Sequence, residues 1–350
     1  MDKQQRTGEG EQYDGGLLCR FAHLVLPYLE PAGLASVSAT CKALRVVSKA
    51  ITSRRISDAS RGMETYPISF FNSVDSELYA YFIYSPVQTL PTSPSIAGLF
   101  WGGELGGSGR VRQDPFLIRV EGSDGCGCES CDLDCPCIDF SSGLPTRECG
   151  PSCQCGSECG NRLTQKGVSA KLKVVKDRRK GWSLVAADFT PKGKFICEYT
   201  GELLTTEEAR NRHKLYDKIS KSSHFSPALL VVKEHLPSGN VCMRINIDAT
   251  RIGNIARFIN HSCDGGNLCT MIVRSSGALL PRVCFFSSRD ILENEELSFS
   301  YGDTTLNPTG SQCFCALKHM ALSIKCCNQK RLKRPSKYVV ECYDSFTLNQ

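Results

Sequence analysis

The stretch Arg257-Phe258-Ile259-Asn260-His261-Ser262-Cys263 places an amide, an imidazole, a hydroxyl and a thiol in consecutive positions behind two apolar residues. Core filling alone does not explain that order. Its companion is Glu296-Leu297-Ser298-Phe299-Ser300-Tyr301-Gly302, a Phe-x-Tyr pair on an apolar strand. An Asn-His pair without context reads most simply as a polar turn, so order and company must carry the argument. The company consists of nine cysteines upstream, Lys180-Gly181-Trp182, Glu198-Tyr199-Thr200-Gly201-Glu202, the two stretches above, and Cys313-x-Cys315.

Working outward, the cysteines come next. The start, Met1-Asp2-Lys3-Gln4-Gln5, has no signal-peptide core and no apolar run approaches membrane-spanning length, so a soluble intracellular protein is expected. In a reducing compartment 21 cysteines point to metal rather than disulfides. Nine of them form two groups, Cys126, Cys128, Cys131, Cys135 and Cys137, then Cys149, Cys153, Cys155 and Cys159. An odd number cannot pair fully, and Cys-x-Cys neighbours are poorly placed to bond each other. Thiolates favour tetrahedral zinc, and metal would supply the folding energy that this Gly/Pro/Ser/Asp-rich segment lacks. A net charge of +6 is too mild to argue for nucleic acid, and 350 residues with 41% apolar content leave room for two or three domains.

Together these residues resemble the signature of a SET domain, the lysine methyltransferase fold. The resemblance implies a mainly β SET domain of knotted small sheets. In that fold the chain after the second stretch is tucked through a loop made by the first, an exception to the rule against threading. Upstream, the nine cysteines resemble a pre-SET motif, in which three zinc ions fill their ligand positions by sharing three of the nine thiolates. The set is most similar to the suppressor-of-variegation class, especially its small plant SUVR-type members. That class methylates a lysine in the histone H3 amino-terminal tail, which implies a nuclear, chromatin-bound enzyme linked to silencing. S-adenosylmethionine is then the donor, and a neutral lysine amine displaces its methyl in line. Desolvation beside the sulfonium lowers the lysine pKa, and a narrow channel fixes geometry.

By resemblance, Tyr301 is the principal catalytic residue, Tyr199 a second channel wall, and Phe299 the position that sets how many methyls fit. Lys180, Gly181 and Trp182 form the cofactor turn, with Ser183 where the family usually has glycine. Asn260 and His261 hold the adenine end, and Arg257 braces the crossing. In the family a cysteine matching Cys263 joins three later ones in a fourth zinc site; here Cys313 and Cys315 are present, Met320, a poor ligand, holds the third position, and the alternatives are Cys326 or Cys327 through a longer loop or loss of that zinc.

The expected organisation is an F-box-like helical segment at 1–60, a linker with short strands at 61–110, the pre-SET cluster at 111–165, the SET domain at 166–303, and an atypical post-SET and basic tail at 304–350. Apolar residues recur every three or four positions from Leu17 to Ile51, interrupted by Pro27 and Pro31. Leu26-Pro27-Tyr28-Leu29 with Val37 to Arg45 resembles an F-box, which implies a cullin ligase adaptor as partner; a helical cap is the plain alternative. Thr205-Thr206-Glu207-Glu208 is a capping box opening a helix to about Ser220. Val241 to Ile247 alternates and is expected to line a groove where a peptide adds as a strand. Acidic residues around it, Glu198, Glu202, Glu207, Glu208, Asp248, Glu293, Glu295 and Glu296, would suit a basic tail. Rival readings are an inactive zinc-stabilised histone-tail binder and a ubiquitin ligase adaptor at chromatin. Lys330-Arg331-Leu332-Lys333-Arg334 reads as a nuclear signal or a solvated basic tail.

Overall fold

In a computed structural model of the chain, the residues described are 15–90, 120–132, 134–139, 144–220, 226–235, 242–262, 265–301 and 338–343. The chain divides into two compact units between Ser57 and Asp58.

The first unit holds helices α1 (Gly15–Val25), α2 (Pro31–Ser38) and α3 (Lys42–Ser57). Pro27 lies in a single 3-10 turn, and Pro31 opens α2, where a missing N–H costs no helix bond. The periodic residues Leu26, Leu34, Leu44 and Ile51 close on Ala22 as a small core. Arg55 is buried and caps the turn, its Nη2 donating to the carbonyls of Pro27 and Leu29 at 2.9 and 2.6 Å.

The second unit is built from short strands. β1 (Phe70–Phe71), β2 (Ile83–Tyr84) and β3 (Arg147–Glu148) precede β4 (Leu172–Asp177), β5 (Gly181–Ala186), β6 (Phe195–Glu198) and β7 (Gly201–Leu204). Helix α4 (Thr206–Ser220) follows, opened as expected: Thr205 Oγ1 accepts the Glu208 amide at 3.2 Å, and Glu208 Oε2 accepts the Thr205 amide at 3.4 Å. Then come β8 (Leu229–His235), β9 (Cys242–Gly253), β10 (Asn260–His261), β11 (Leu268–Ser275), β12 (Arg282–Ser287), β13 (Ser298–Phe299) and β14 (Tyr338–Tyr343). They form small sheets, ordered β1-β4-β5, β3-β11-β12-β6 and β14-β8-β9-β2 with β7 also on β9, plus the pair β10-β13. Strand β12 is buried at every position because β11 and β6 flank it and side chains cover both its faces.

Residues 61–90, expected as linker with short strands, carry two short strands that pair into the sheets of this unit. Phe70 and Phe71 pair in parallel with Val174 and Val175, and Ile83 and Tyr84 with Ile252 and Gly253. β2 closes the aromatic run Tyr79 to Tyr84, whereas β1, only two residues long, leaves no periodic trace in the sequence. Phe70 is wedged edge-on against Trp182 and Phe258, at 5.2 and 5.9 Å between ring centroids. Gln88 is also buried; its Nε2 donates to the Tyr199 carbonyl at 2.6 Å and its Oε1 accepts the Gly201 amide at 3.0 Å. Phe70→Ala is therefore expected to cost about 3 to 5 kcal/mol of stability. A denaturant titration reads this directly, and an unchanged midpoint would contradict the wedge.

Strand β9 exists where the alternation of Val241 to Ile247 placed it, but β8 pairs along one edge and β7 and β2 along part of the other. The outer edge of β8 carries β14, from the tail beyond Cys315. Among the described residues, no helix is long and apolar enough to cross a membrane.

Candidate active site

The two stretches that opened the sequence reading lie side by side. β10 and β13 run parallel, with Asn260 opposite Ser298 and His261 opposite Phe299. The pairing continues outward, Ser262 N donating to Phe299 O at 2.9 Å and Asn267 N to Ser298 O at 3.0 Å. Two residues past β13, the Tyr301 amide donates to His261 Nδ1 at 3.1 Å, and the Tyr301 hydroxyl donates to Ile259 O at 2.7 Å. The two rings lie 5.1 Å apart. An aromatic wall runs on from Tyr301 to Phe299 at 4.9 Å, Phe285 at 4.7 Å and Tyr199 at 6.3 Å, each distance measured to the preceding ring. The Tyr199 hydroxyl donates to Ala228 O at 2.8 Å. All three residues expected at the catalytic end are thus joined through Phe285, which the sequence did not single out.

At the other end of the crossing sits the turn Lys180-Gly181-Trp182. Asp177 Oδ1 accepts the amides of Arg179 and Lys180 at 2.7 and 3.0 Å, and these donors, Lys180 first, hold its carboxyl below the usual range. The turn leaves Gly181 at φ +76°, a left-handed conformation natural to glycine, with open space where a Cβ would stand. Asn260 Nδ2 reaches this turn, donating to Ser183 Oγ at 2.7 Å and to Trp182 O at 3.4 Å. It also donates to Glu296 Oε1 at 3.0 Å, while Lys180 Nζ meets Glu296 Oε2 at 2.6 Å. Ser183, the departure from the family pattern, thus supplies an acceptor for the Asn260 amide.

Trp182 and Arg257 turn their side chains into the aromatic cluster of Phe70, Phe82 and Phe258. The Trp182 ring packs on Phe70 beneath the Lys176 ammonium, at 5.4 Å, and its indole N–H is buried without a hydrogen-bond partner, so its backbone rather than its ring faces Asn260. Arg257 lies between the rings of Phe82 and Phe258, at 4.8 and 5.0 Å, and donates to Thr250 O at 3.0 Å. Burial pushes its pKa down to about 10.

The nine cysteines pack as one cluster. Three sets of four sulfurs each lie within 4.8 Å of one another: Cys126, Cys137, Cys149 and Cys153; Cys126, Cys128, Cys131 and Cys135; and Cys126, Cys131, Cys149 and Cys155. Sulfur pairs stand 3.6 to 4.0 Å apart, close to the ~3.8 Å edge of a tetrahedron with ligands ~2.3 Å from zinc. The donor set therefore fits zinc; Cys126 falls in all three sets, Cys131 and Cys149 in two each, and Cys159 in none. Polar hydrogens converge on the sulfurs: Asn161 Nδ2 donates to Cys149 at 3.4 Å, Arg162 Nη2 to Cys155 at 3.6 Å and Ser276 Oγ to Cys137 at 3.2 Å. The proposed fourth site, Cys263, Cys313 and Cys315 with Met320, lies outside the described residues.

The SET domain family matches residues 181–302. Histone-lysine N-methyltransferase SUVR3 of Arabidopsis thaliana is 53% identical over 299 residues, which cover 82% of this chain and 84% of that protein. The chain belongs to the SET-domain histone-lysine methyltransferases. The methyltransferase domain of human SETMAR is similar to this SET protein at 27% identity and a TM-score of 0.55, covering 76% of this chain and 96% of that one. KRYPTONITE, solved with mCHH DNA, an H3(1–15) peptide and SAH, is similar at 26% identity and a TM-score of 0.52, covering 75% and 52%.

Within this SET fold the acidic residues divide. Glu198, Glu202 and Asp248, read from the sequence as a surface suited to a basic tail, are buried and paired instead. Glu198 takes Arg282 at 2.6 Å, and Glu202 and Asp248 take Arg212 at 2.6 and 2.7 Å. Buried carboxylates need such partners, whereas an exposed run does not. Glu296, grouped by sequence with the surface acids, links Lys180 of the turn to Asn260 of β10; its one sequence signal is its place at the head of the second stretch.

Proposed function

We propose that this enzyme transfers a methyl group from S-adenosylmethionine to a lysine of the histone H3 amino-terminal tail, as a nuclear chromatin modifier linked to silencing. The observation that carries the reading is the parallel pairing of β10 with β13, which sets the Tyr301 ring against both Phe299 and His261. KRYPTONITE, crystallised with an H3 peptide and SAH, supports the choice of substrate and donor.

The bound cofactor would supply an electrophilic sulfonium methyl. The chain's own residues do the rest. Lys180 to Ser183 with Asn260 and His261 would hold the donor, the open face of Gly181 allowing close approach. The aromatic wall of Tyr199, Phe285, Phe299 and Tyr301 excludes water from the lysine amine, which favours its neutral, nucleophilic form. The Tyr301 hydroxyl, fixed on the Ile259 carbonyl, orients that amine. Three zinc ions in the nine-cysteine cluster would be structural, since thiolate-saturated zinc leaves no position for water. No observation supports a cullin adaptor on the helical unit, and it is not part of this reading.

The test is transfer of labelled methyl to an H3 tail peptide. Incorporation on lysine supports the reading; peptide binding without incorporation would make the chain a tail-binding protein instead. Phe299 refines the expectation. Its ring lies between Phe285 and Tyr301 and offers no hydroxyl to anchor a water where a second methyl must fit. The wild type should therefore add more than one methyl and Phe299→Tyr mainly one, as read by mass spectrometry of the product. An unchanged degree of methylation in the variant would refute this.

A further inference from the structure

Asp248 is fully buried on β9 and is the point at which helix α4 meets the strands below it. Its Oδ2 accepts Arg212 Nη1 at 2.7 Å and the Tyr216 hydroxyl at 2.6 Å, both from one face of α4. Arg212 is shared with Glu202 on β7, at 2.6 and 3.2 Å. Burial and then the Asp248 charge push the Tyr216 phenol above its usual pKa, so it remains a donor.

From the same carboxylate a short hydrogen-bonded path reaches Tyr199. Asp248 Oδ1 accepts the Thr250 amide at 2.9 Å, and Thr250 Oγ1 accepts the Ala228 amide at 2.9 Å. The Ala228 carbonyl then accepts two donors at 2.8 Å, the Ala249 amide and the Tyr199 hydroxyl. A second contact comes from Gly201, where an added Cβ would stand 2.6 Å from the Asp248 carbonyl oxygen. Residues 248–250 therefore reach the Tyr199 phenol through Ala228, and Asp248 packs closely on Gly201, two residues along the chain from Tyr199. Asp248 is itself fully buried, so any influence it has on the channel passes through these neighbours.

We propose that Asp248 is a positioning residue for Tyr199, setting the phenol through Thr250 and Ala228 and making its placement depend on α4. The inference rests on reading Tyr199 as a wall of the lysine channel. Asp248→Asn keeps shape but turns one acceptor oxygen into a donor facing Arg212 and Tyr216 or the Thr250 amide, so residues 248–250 must shift.

The experiment is a double-mutant cycle in the full chain, with kcat and both KM values measured on an H3 tail peptide. D248N is expected to lower kcat by about 10- to 100-fold with the KM for S-adenosylmethionine unchanged. In a Tyr199→Phe background the same substitution should change kcat by less than about twofold, because the group it positions is gone. Losses that multiply, or a raised cofactor KM, would show a general structural role and overturn the proposal. Thr250→Val, which leaves the Asp248 carboxylate in place, should show the same non-additivity and serves where D248N folds poorly. Hydrogen exchange at the Ala228 and Ala249 amides provides a readout that needs no catalysis and should quicken at least about tenfold in D248N. Unchanged exchange overturns the proposal. Quickened exchange in an enzyme that transfers no methyl would uphold the coupling and sink the functional reading beneath it.

Discussion

Replacing Tyr301 by phenylalanine is expected to reduce methyl transfer by on the order of 10²- to 10³-fold while leaving the fold intact. Only one atom is removed. The ring keeps its contacts with Phe299 and His261, and the backbone amide keeps its bond to His261 Nδ1. What is lost is the hydroxyl, the polar atom that Tyr301 directs back to the Ile259 carbonyl at the root of the other stretch. An amine left without that reference must find the in-line angle by chance, so the loss should fall on kcat and spare the KM for the cofactor. Initial rates with thermal melts of both proteins check this. A Tyr301→Phe enzyme with near wild-type kcat would remove Tyr301 from the chemistry.

The second large effect concerns metal. Stripping zinc with a strong chelator should lower the melting temperature by at least about 10 °C and release zinc in step with unfolding. Seven of the nine thiols stand 3.6 to 4.0 Å from another, and the cluster has little apolar core to replace a metal. The consequence should travel into the SET sheets. β3 pairs with β11, Ser276 donates to Cys137, and the fully buried Glu148 carboxylate is held by Thr164 N at 2.7 Å, Thr164 Oγ1 at 2.9 Å and Gln165 Nε2 at 2.9 Å. Methyl transfer should therefore fail together with the cluster. A melting curve indifferent to the chelator would mean that the cysteines fold this segment without metal.

The parts of the molecule legible in the sequence were those whose chemistry leaves a local mark. Cys-x-Cys spacing marks the cysteine cluster, Thr205 with Glu208 marks the start of α4, and Asn260-His261 with Phe299-x-Tyr301 marks the pairing of β10 with β13. Long-range partners leave no such mark. Phe70 and Gln88 sit in a segment that reads as linker, since strands of two residues have no period and their purpose lies in Trp182 and Tyr199, far along the chain. Asp248 and Glu202 look like surface acids until Arg212 is seen between them. Trp182 shows the reverse: the motif identified the turn, but the packing of Phe70 decided that the backbone rather than the indole faces Asn260.

The parallel pair β10 and β13, together with the turn at Gly181, is expected to build the donor site. Hydrogen exchange of the intact chain with and without S-adenosylmethionine tests it most directly. Protection should appear together in residues 181–183, 257–262 and 298–301. Cofactor binding that protects other segments and leaves these three unchanged would contradict the account.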